Sequence, residues 1–514
     1  MIPLREQLAR PGAFVVAAEL VTSRGLITAD RSRRVLETAR ELAADPRVDV
    51  LSITDNPGGH AMLAPDTLGT DLISRGQEVV IHLSCKDWNR NALESRGWQL
   101  SSGGFHNVLA LSGDYPVTGH EGLAAPVFDI DSVGLLSLFA AMNDGLPDEH
   151  EAGRRLDATD FFLGCVVTNH KLHEREVMPQ LFKLRKKAAA GARFVVKQIG
   201  WNARKDDELL RWIRGEELPL KALANVYLLS RSAARHFHRG GIPGVVVSDA
   251  LLELAERYGA GEDRGRSFFV ELAAKHVAVA RGLGYDGVYL GGHMPASTFA
   301  EILDTAATYS EDDWRALGRD IGFGVDGEFY LFEQDADTGL ATDVVSGAYL
   351  ESKRERRTDL HVPLTYRVSR KIHGAVFAPQ APLFPAARAL YGAAERSRPV
   401  TRSLHLVEQA VKVPMFHCQD CGDCSLPDIA YVCPESMCAK NQRNGPCGGT
   451  RDGLCEVYES ECIWSQAYER LKAYGEEDSM LDGPTVVKDN ALRATSAWAN
   501  AFLGRDHNAP RNHR

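Results

Sequence analysis

The sequence predicts an α/β fold, a (β/α)₈ barrel followed by a small cysteine-rich, metal-binding domain. From residue 14 to about residue 308, short apolar runs alternate with longer amphipathic ones, which is the pattern of a parallel sheet with crossover helices. Eight of the ten cysteines then lie between Cys418 and Cys462. A chain of 514 residues exceeds what one hydrophobic core usually serves. We therefore expect one large domain of about 300 residues and smaller C-terminal parts.

Eight apolar segments are predicted to form the barrel strands. They are Phe14–Leu20, Val48–Thr54, Glu78–Leu83, Val108–Ser112, Phe161–Val167, Phe194–Gln198, Asn225–Leu229 and Gly287–Leu290. Between them, segments such as Ser32–Leu42 and Val177–Ala190 repeat apolar residues at helical spacing. An open doubly wound sheet is the competing architecture, but Val21–Gly25 lacks the Gly-rich phosphate loop expected after its first strand. The barrel is favoured, and its active site is expected at the carboxyl ends of the strands.

The chain is predicted to contain four segments. Residues 1–308 form the barrel, 309–410 a linker and accessory segment, 411–475 the cysteine-rich module and 476–514 a C-terminal tail. The linker includes the charged stretch Glu351–Arg357, which is typical of a solvated segment. Residues 505–514 are polar and are expected to be frayed.

Composition and charge exclude several classes of protein. Hydrophobic residues make up 44% of the chain and charged residues 25%, which is an ordinary globular mixture. The net charge of −10 argues against nucleic-acid binding, because affinity for phosphate backbones comes mainly from clustered lysine and arginine. The N-terminus lacks the apolar run of a signal peptide, and no run of roughly 18 apolar residues occurs. We expect a soluble, cytoplasmic protein without a membrane partner.

The cysteines of such a protein are expected to be free thiols or metal ligands rather than disulfides. Cys85 and Cys165 lie alone in apolar segments and are predicted to be small core residues. The other eight follow the spacing C-x₂-C-x₂-C-x₈-C-x₄-C-x₈-C-x₇-C-x₆-C. These eight candidate metal ligands are Cys418, Cys421, Cys424, Cys433, Cys438, Cys447, Cys455 and Cys462.

The opening triplet of this spacing resembles the start of a ferredoxin cluster motif, and Pro434 follows Cys433 as in such motifs. Structural zinc usually uses paired C-x₂-C knuckles, and only the first half of the module has one. Eight thiolates suffice for two [4Fe–4S] clusters, which we favour over zinc. The pairing stays open, because the fourth ligand of the triplet could be Cys433 or a cysteine of the second half.

Six predicted strands end on residues that could bind or react. They are Glu19, Thr54, His82, Asp114, His170 and Gln198. Glu19 follows an apolar run, so desolvation should raise its pKa toward the range of a general acid, with a buried ion pair as the alternative. Asp114 follows Gly113 after a buried strand and is expected at the barrel mouth, with a turn cap as the alternative. His82 and His170 are each more typical of structural histidines, but their shared position at the mouth favours a functional role.

Motifs along the barrel, in this order, resemble those of methylenetetrahydrofolate reductases. They are Ala18-Glu19-Leu20, Ser52-Ile53-Thr54-Asp55-Asn56, His82-Leu83-Ser84-Cys85, Ala110-Leu111-Ser112-Gly113-Asp114-Tyr115-Pro116, and Leu184-Arg185-Lys186-Lys187 leading to Gln198. Residues 411–475 resemble the C-terminal domain associated with that family. The motifs there are Asn444-Gly445-Pro446-Cys447-Gly448-Gly449, Gly453-Leu454-Cys455-Glu456 and Cys462-Ile463-Trp464.

The resemblance implies roles for individual residues. Glu19 would be the acid that protonates the folate and opens its five-membered ring to an iminium ion. Asp114, the second catalytic residue, would lie near the flavin ring and the pterin and tune hydride transfer, and Gln198 would bind the pterin. The positions implied to hold the flavin are Thr54, His82, Asp114, His170 and Lys187, the last being suited to a phosphate.

The sequence departs from the family pattern at two places. Ser112 stands where an arginine is usual, and Val21–Arg24 replaces an aromatic and proline stretch. The missing arginine leaves the flavin open between FAD and FMN, with FAD favoured.

The resemblance implies a flavin-dependent reduction of 5,10-methylenetetrahydrofolate to 5-methyltetrahydrofolate, a step of one-carbon metabolism. The module implies electron delivery from a donor such as ferredoxin, with NAD(P)H as the other candidate. The alternatives are a non-redox folate-dependent methyltransferase or accessory subunit with structural zinc, and an electron-transfer partner whose barrel no longer turns over. The sequence leaves open which donor serves and whether the chain forms a homo-oligomer.

Overall fold

The computed structural model describes residues 2–148, 150–354, 360 and 362–509, and it contains the predicted closed barrel. Each strand pairs in parallel with the next, and the last pairs with the first. The strands are β1 (Val15–Leu20), β2 (Val50–Ile53), β3 (Val79–Ser84), β4 (Asn107–Leu111), β5 (Phe162–Val167), β6 (Phe194–Lys197), β7 (Lys221–Tyr227) and β8 (Gly287–Gly291). The predicted fold class is confirmed.

Helices surround the strands, as the right-handed βα connections of such a barrel require. They are α1 (Leu4–Ala9), α2 (Asp30–Ala44), α3 (Pro65–Ser74), α4 (Arg90–Ser102), α5 (Ser132–Asn143), α6 (Glu174–Ala189), α7 (Ala203–Gly215), α8 (Arg231–His238), α9 (Asp249–Gly259), α10 (Arg266–Leu283) and α11 (Ala296–Ala306). None of the helices in the part of the chain that the structure describes is apolar enough over a sufficient length to cross a bilayer.

All eight predicted strands are present, and the largest difference is in the seventh. It was predicted at Asn225–Leu229 and is observed at Lys221–Tyr227. Lys221–Ala224 contains one large apolar residue, so its sequence signal is weak. The segment is nevertheless extended because it pairs with β6 and β8 on both sides. Neighbouring strands, rather than local composition, determine where β7 begins.

The lower half of the barrel interior is a packed apolar core. Alternate residues of the strands point inward, and those at the amino-terminal end include Val15, Val50 and Phe194. Leu4 and Leu8 of α1 are buried against this layer and plug that end of the barrel. Further along β1, β2 and β3, toward the carboxyl ends of the strands, the inward-facing positions are occupied by the polar side chains of Glu19, Ser52 and His82.

Residues 309–410, predicted as a linker and accessory segment, are mostly folded. The hairpin of β9 and β10 docks on α7, where the backbone N–H groups of Phe332 and Ala341 donate to Glu208 and Asp207 at 2.8 and 3.1 Å. Of the charged stretch predicted to be solvated, residues 355–357 lie outside the described part. The elements are α12 (Trp314–Asp320), β9 (Phe332–Gln334), β10 (Ala341–Val345), α13 (Gly347–Arg354), α14 (Leu364–Ile372), α15 (Phe384–Ala394) and α16 (Arg398–Phe416).

The cysteine-rich region has little regular structure, and the segment after it packs back onto it. The helices are α17 (Pro434–Met437), α18 (Ile463–Lys472) and α19 (Ala497–Phe502). His507, predicted to lie in a frayed tail, is 3% exposed, and its ring contacts Asp423 at 2.5 Å and Asp428 at 3.0 Å. A polar segment is expected to be exposed only when it has no buried polar partner. Here two carboxylates, those of Asp423 and Asp428, are partners for His507. Residues 510–514 lie outside the described part.

Candidate functional site

A layer of hydrogen-bonded polar side chains lies inside the barrel at the carboxyl ends of β1, β2, β3 and β8. Glu19, Ser52, His82 and Tyr289 share it, because Glu19 is in register with Ser52 and β1 pairs with β8 beside Tyr289. Ser52 Oγ lies 2.9 Å from His82 Nε2, and the Tyr289 hydroxyl lies 3.3 Å from the same nitrogen. Tyr289 is also hydrogen-bonded to Glu19. The network joins the predicted acid to the predicted histidine.

Glu19 is the carboxyl group of this layer. Burial in the lumen raises its pKa above the ordinary value, and the hydrogen bond from Tyr289 opposes the shift only in part. Gly291 lies beside the carboxylate, since a Cβ at that position would be 3.5 Å from Glu19 Oε2. A carboxyl group with a raised pKa retains its proton nearer to neutral pH and can act as a general acid.

His82 is the neutral hydrogen-bonding partner of the layer. Burial lowers its pKa from 6.5 to about 3, so the ring is uncharged at physiological pH. An uncharged imidazole both donates and accepts a hydrogen bond. His82 is thus suited to orient Ser52 and Tyr289 or a bound polar molecule, and not to supply a positive charge.

The low pKa of His82 predicts a pH dependence of stability. Between pH 6.5 and about 3 the His82 ring binds a proton in the unfolded state but not in the folded state. The free energy of unfolding should therefore fall as the pH drops through this window, by up to about 1.4 kcal/mol per pH unit. The contribution is fully present above pH 6.5. Thermal or urea unfolding of His82→Asn should show a shallower decline in acid than the parent, whereas His120→Asn, at an exposed site, should not. If the free energy of unfolding declines equally with pH in the parent and in His82→Asn, the low pKa of His82 is contradicted.

Asp114 lies at the mouth, above this layer, in a turn that requires glycine. Gly113 has φ +88°, and a Cβ there would lie 2.9 Å from that of Ser84. The Asp114 carboxylate accepts a hydrogen bond from the backbone N–H of Gly58 at 2.7 Å. This contact orients the carboxylate at the rim of a large cavity.

Gln198 and Thr54 also lie at strand ends near the mouth. The Gln198 side chain accepts a hydrogen bond from the N–H of Ile199 at 2.9 Å, and its amide nitrogen lies 3.5 Å from the Pro243 carbonyl. The Thr54 hydroxyl is buried and lies 3.4 Å from the Leu20 carbonyl. Both side chains occupy the end of the barrel where the sequence placed them.

The structure does not bring His170 and Lys187 to this layer. His170 Nε2 lies 3.1 Å from Asp206 of α7, which also binds His276 and Lys197 at 2.9 Å each. The Lys187 ammonium donates to the Val166 carbonyl at 2.6 Å, and burial lowers its pKa to about 8. Both predicted flavin contacts therefore face the packing between strands and helices. Sequence position alone did not reveal the direction of these side chains.

The mouth opens into a cavity of about 1150 Å³. Its wall includes Asp114, Lys171 and Glu176 from the barrel and the loop between α8 and α9. Residues of the cysteine-rich module complete the wall. Both carboxylate oxygens of Glu176 are buried without a hydrogen-bond partner among the described residues. They leave a strong acceptor free at the edge of this space.

The cysteine-rich module is docked on the barrel mouth. Lys171 donates to the carbonyls of Gly448, at 2.7 Å, and Thr450. Lys440 reaches the opposite side of the mouth and donates to the Gly113 carbonyl at 2.9 Å, beside Asp114.

A second set of contacts holds the same segment of the module. Gln442 accepts from Ser112 and Lys183 at 3.0 and 2.8 Å, and the Asn444 N–H donates to Asp131 at 2.9 Å. These buried hydrogen bonds fix the position of the module relative to the barrel.

The eight module cysteines separate into two groups of four. We call Cys418, Cys421, Cys424 and Cys433 the outer group; they line one small cavity together with Lys412 and Ala497. We call Cys438, Cys447, Cys455 and Cys462 the inner group; they line a second cavity together with Lys440 and Trp464. Among the residues described, no three His, Cys, Asp or Glu side chains are arranged to hold a single metal ion. Cys85 and Cys165 lie elsewhere and are fully buried, as predicted.

Both groups have donors directed at sulfur. Lys412 Nζ lies 3.4 Å from Cys424 Sγ. Backbone N–H groups of Asp420, Gln442 and Gly449 lie 3.4 to 3.5 Å from the sulfur atoms of Cys418, Cys438 and Cys447, respectively. Such donors stabilise thiolate, the form that binds metals.

The inner group adjoins the mouth cavity. Cys455 and Glu456 line that cavity as well as the inner cysteine cavity. Lys440, which binds the carbonyl beside Asp114, forms an ion pair with Glu456 at 2.5 Å. The inner group is thus the one placed to communicate with a molecule in the mouth.

Three residues of this site, Ser52, Tyr289 and Glu176, were not predicted from the sequence. Ser52 and Tyr289 could have been found by counting inward positions at every second residue along the predicted strands. Glu176 could not, because its importance comes from burial beside Lys171 under the docked module.

These features define a class of protein, a (β/α)₈ barrel whose carboxyl-end mouth is covered by a module with two four-cysteine groups. Residues 5–215 match the family model described as methylenetetrahydrofolate reductase. Residues 398–490 match the model described as methylene-tetrahydrofolate reductase C terminal. The chain belongs to the methylenetetrahydrofolate reductase family, with the barrel and the C-terminal domain fused in one polypeptide.

Three solved structures are similar to this chain at low sequence identity. An uncharacterised Clostridium thermocellum protein, which binds two copies of 5-methyl-5,6,7,8-tetrahydrofolic acid, is 12% identical with a TM-score of 0.41, and the match covers 62% of this chain and 99% of that one. Xanthomonas albilineans dihydropteroate synthase is 15% identical with a TM-score of 0.32, covering 59% and 93%. A 2,3-dimethylmalate lyase is 13% identical with a TM-score of 0.30, covering 61% and 88%. Likenesses at this level carry no functional argument.

Proposed function

We propose that this protein reduces 5,10-methylenetetrahydrofolate to 5-methyltetrahydrofolate in the barrel mouth, with a bound flavin and with electrons delivered through the cysteine-rich module. The observation that supports this most is the shared cavity, which has Asp114 on one wall and Cys455 of the inner group on another. The chain is divided as predicted into segments 1–308, 309–410, 411–475 and 476–514 in this proposal. The described part of segment 476–514 is packed against the cysteine-rich module.

In this proposal Glu19 is the catalytic acid. Its raised pKa lets it hold a proton that it passes to the folate, which opens the five-membered ring to an iminium ion. Tyr289 fixes the carboxyl group, and neutral His82 fixes Tyr289 in turn.

The residues proposed to bind flavin are Thr54, His82 and Asp114, and Gln198 is proposed to bind the pterin. A flavin bound there supplies the hydride, while the protein supplies orientation and electrostatics. Lys187 is engaged by the Val166 carbonyl and is dropped as a phosphate ligand. Arg239 and Arg451 line the mouth cavity and are the cations proposed for the phosphate of FAD, with FMN as the alternative.

The outer and inner groups each fit a [4Fe–4S] cluster, since each offers four thiols around a cavity with donors directed at sulfur. Such clusters supply one-electron transfer. Zinc is the alternative, and with it the module would be structural. Anaerobic purification followed by iron, acid-labile sulfide, zinc and flavin analysis tests this proposal. Zinc in place of iron together with the absence of flavin would refute it.

Asp114→Asn should raise the reduction potential of the bound flavin, because removing a negative charge beside the ring makes its reduction easier. Spectroelectrochemical titration of the anaerobic protein measures the potential. Asp249→Asn is the matched control, because Asp249 lines the same cavity but its side chain is 98% exposed. If Asp114→Asn and parent have the same potential and the same folate half-reaction, Asp114 does not lie beside the flavin.

A further inference from the structure

The surface of α14–α16 is unusually apolar. Of the 22 large apolar side chains that are exposed among the described residues, ten lie in this segment of about fifty residues. Monomeric proteins rarely expose such a concentration, which usually marks an interaction surface. The ten are Leu364, Val368, Ile372, Leu383, Leu390, Val400, Leu406, Val407, Val411 and Val413. We call this surface the basic apolar face, for the charges described below.

The apolar residues follow helical spacing on the outward sides of the helices. Leu364, Val368 and Ile372 recur every four residues on α14, and Val407 and Val411 do so on α16. The inward sides already have partners. There, Tyr391 of α15 packs on Phe502 of α19 with ring centroids 5.3 Å apart. The exposed apolar residues are therefore not needed for the packing of these helices against the rest of the protein.

The same face is positively charged on an acidic protein. Residues 364–416 contain eight lysines and arginines against two glutamates, whereas the whole chain has a net charge of −10. Six of these cations are exposed and form no ion pair with a described carboxylate. They are Arg367, Lys371, Arg388, Arg396, Arg398 and Arg402. Unpaired cations beside apolar side chains are suited to bind an acidic macromolecule.

Helix α16, which forms the C-terminal part of the face, lies over the outer cysteine group. Lys412, on the inward side of α16, reaches Cys424 Sγ at 3.4 Å. Phe416 at the end of α16 packs with Leu426 and Cys433. A protein bound to the outward side of α16 would be separated from these thiols by about the 10 Å diameter of one helix.

We propose that the basic apolar face is the docking surface for an acidic one-electron carrier protein, which passes electrons to the outer cysteine group. This rests on the proposed function, because the thiols must hold redox-active clusters. Converting methylene to methyl takes two electrons and two protons, so two reduced carriers are oxidised for each folate reduced. A second copy of this chain is a poor occupant, since a symmetric interface would place the six unpaired cations against one another.

The test uses the anaerobic holoprotein and a plant-type [2Fe–2S] ferredoxin, an acidic carrier, as the probe. Arg398→Glu/Arg402→Glu should weaken ferredoxin binding, measured by calorimetry at low salt, by roughly tenfold or more. Arg31→Glu/Arg34→Glu, an equal charge reversal at exposed positions of α2, should bind like the parent. Folate reduction driven by methyl viologen should be the same in all three proteins, because both pairs lie outside the barrel mouth.

The outcomes separate the docking surface from the proposed function. Viologen-driven folate reduction without ferredoxin binding, or binding that resists the reversal, overturns the docking surface. Ferredoxin binding without viologen-driven reduction leaves the surface standing and overturns the proposed function. If light scattering shows that the parent is a dimer and that Val407→Asp/Val411→Asp is a monomer, the face binds a second copy of the chain. That result overturns the proposal. Binding to anionic phosphatidylglycerol vesicles but not to ferredoxin also overturns it.

Discussion

Glu19→Gln should bind flavin as the parent does and should reduce folate at least about 10²-fold more slowly, the usual loss when a general acid is removed. Glutamine keeps the size and can accept the hydrogen bond from Tyr289, but it has no acidic proton to transfer to the folate. Stopped-flow measurement of the folate half-reaction, with the flavin reduced beforehand, isolates the step that should be slowed. Reduction of the flavin itself should be unchanged, because it does not need the acid.

The pH profile gives a second readout of the same residue. Because the pKa of Glu19 is raised by burial, the acid form persists above the usual range and the rate should fall as the pH rises through that pKa. Glu19→Gln should lose this limb of the profile. Glu78→Gln, at the opposite end of the barrel where Glu78 binds Leu4 and Asn107, should keep it. Folate reduction at the parent rate in Glu19→Gln would remove Glu19 from the mechanism.

Cys421→Ser and Cys447→Ser should each lose about half of the iron and sulfide, because each change removes a ligand from a different four-cysteine group. The combined variant should lose nearly all of it. Both single variants should keep the flavin, which is proposed to bind to barrel residues. Cys165→Ala, which removes a buried thiol outside the module, should retain the parent metal content.

The same variants test the order of electron flow. With ferredoxin as donor, loss of either group should abolish reduction of the flavin, since the outer group lies under α16 and the inner group adjoins the mouth. Dithionite should still reduce the flavin directly. A combined variant that loses no more iron than either single variant, or stoichiometric zinc in all of the proteins, would contradict the division into two redox centres.

Local periodicity explains why the fold was predictable from the sequence. Apolar strands such as Phe162–Val167 are encoded by their own residues, and eight of them alternating with helices close into a barrel. Glu19 and Asp114 were predictable for a related reason, since a polar residue at the end of a buried strand must lie near the mouth. The strand that was displaced, β7, is the one whose first residues depend on its neighbours.

Sequence patterns alone predicted the barrel, the end at which the candidate site lies and the eight clustered thiols. Contacts between distant segments place Cys433 in the outer group, set the inner group beside the mouth, and turn His170 and Lys187 toward the packing between strands and helices. The difference lies in the range of the interactions. Strand and helix patterns arise from neighbours a few residues apart, whereas these placements depend on contacts such as Lys171 with Gly448, 277 residues apart in the chain.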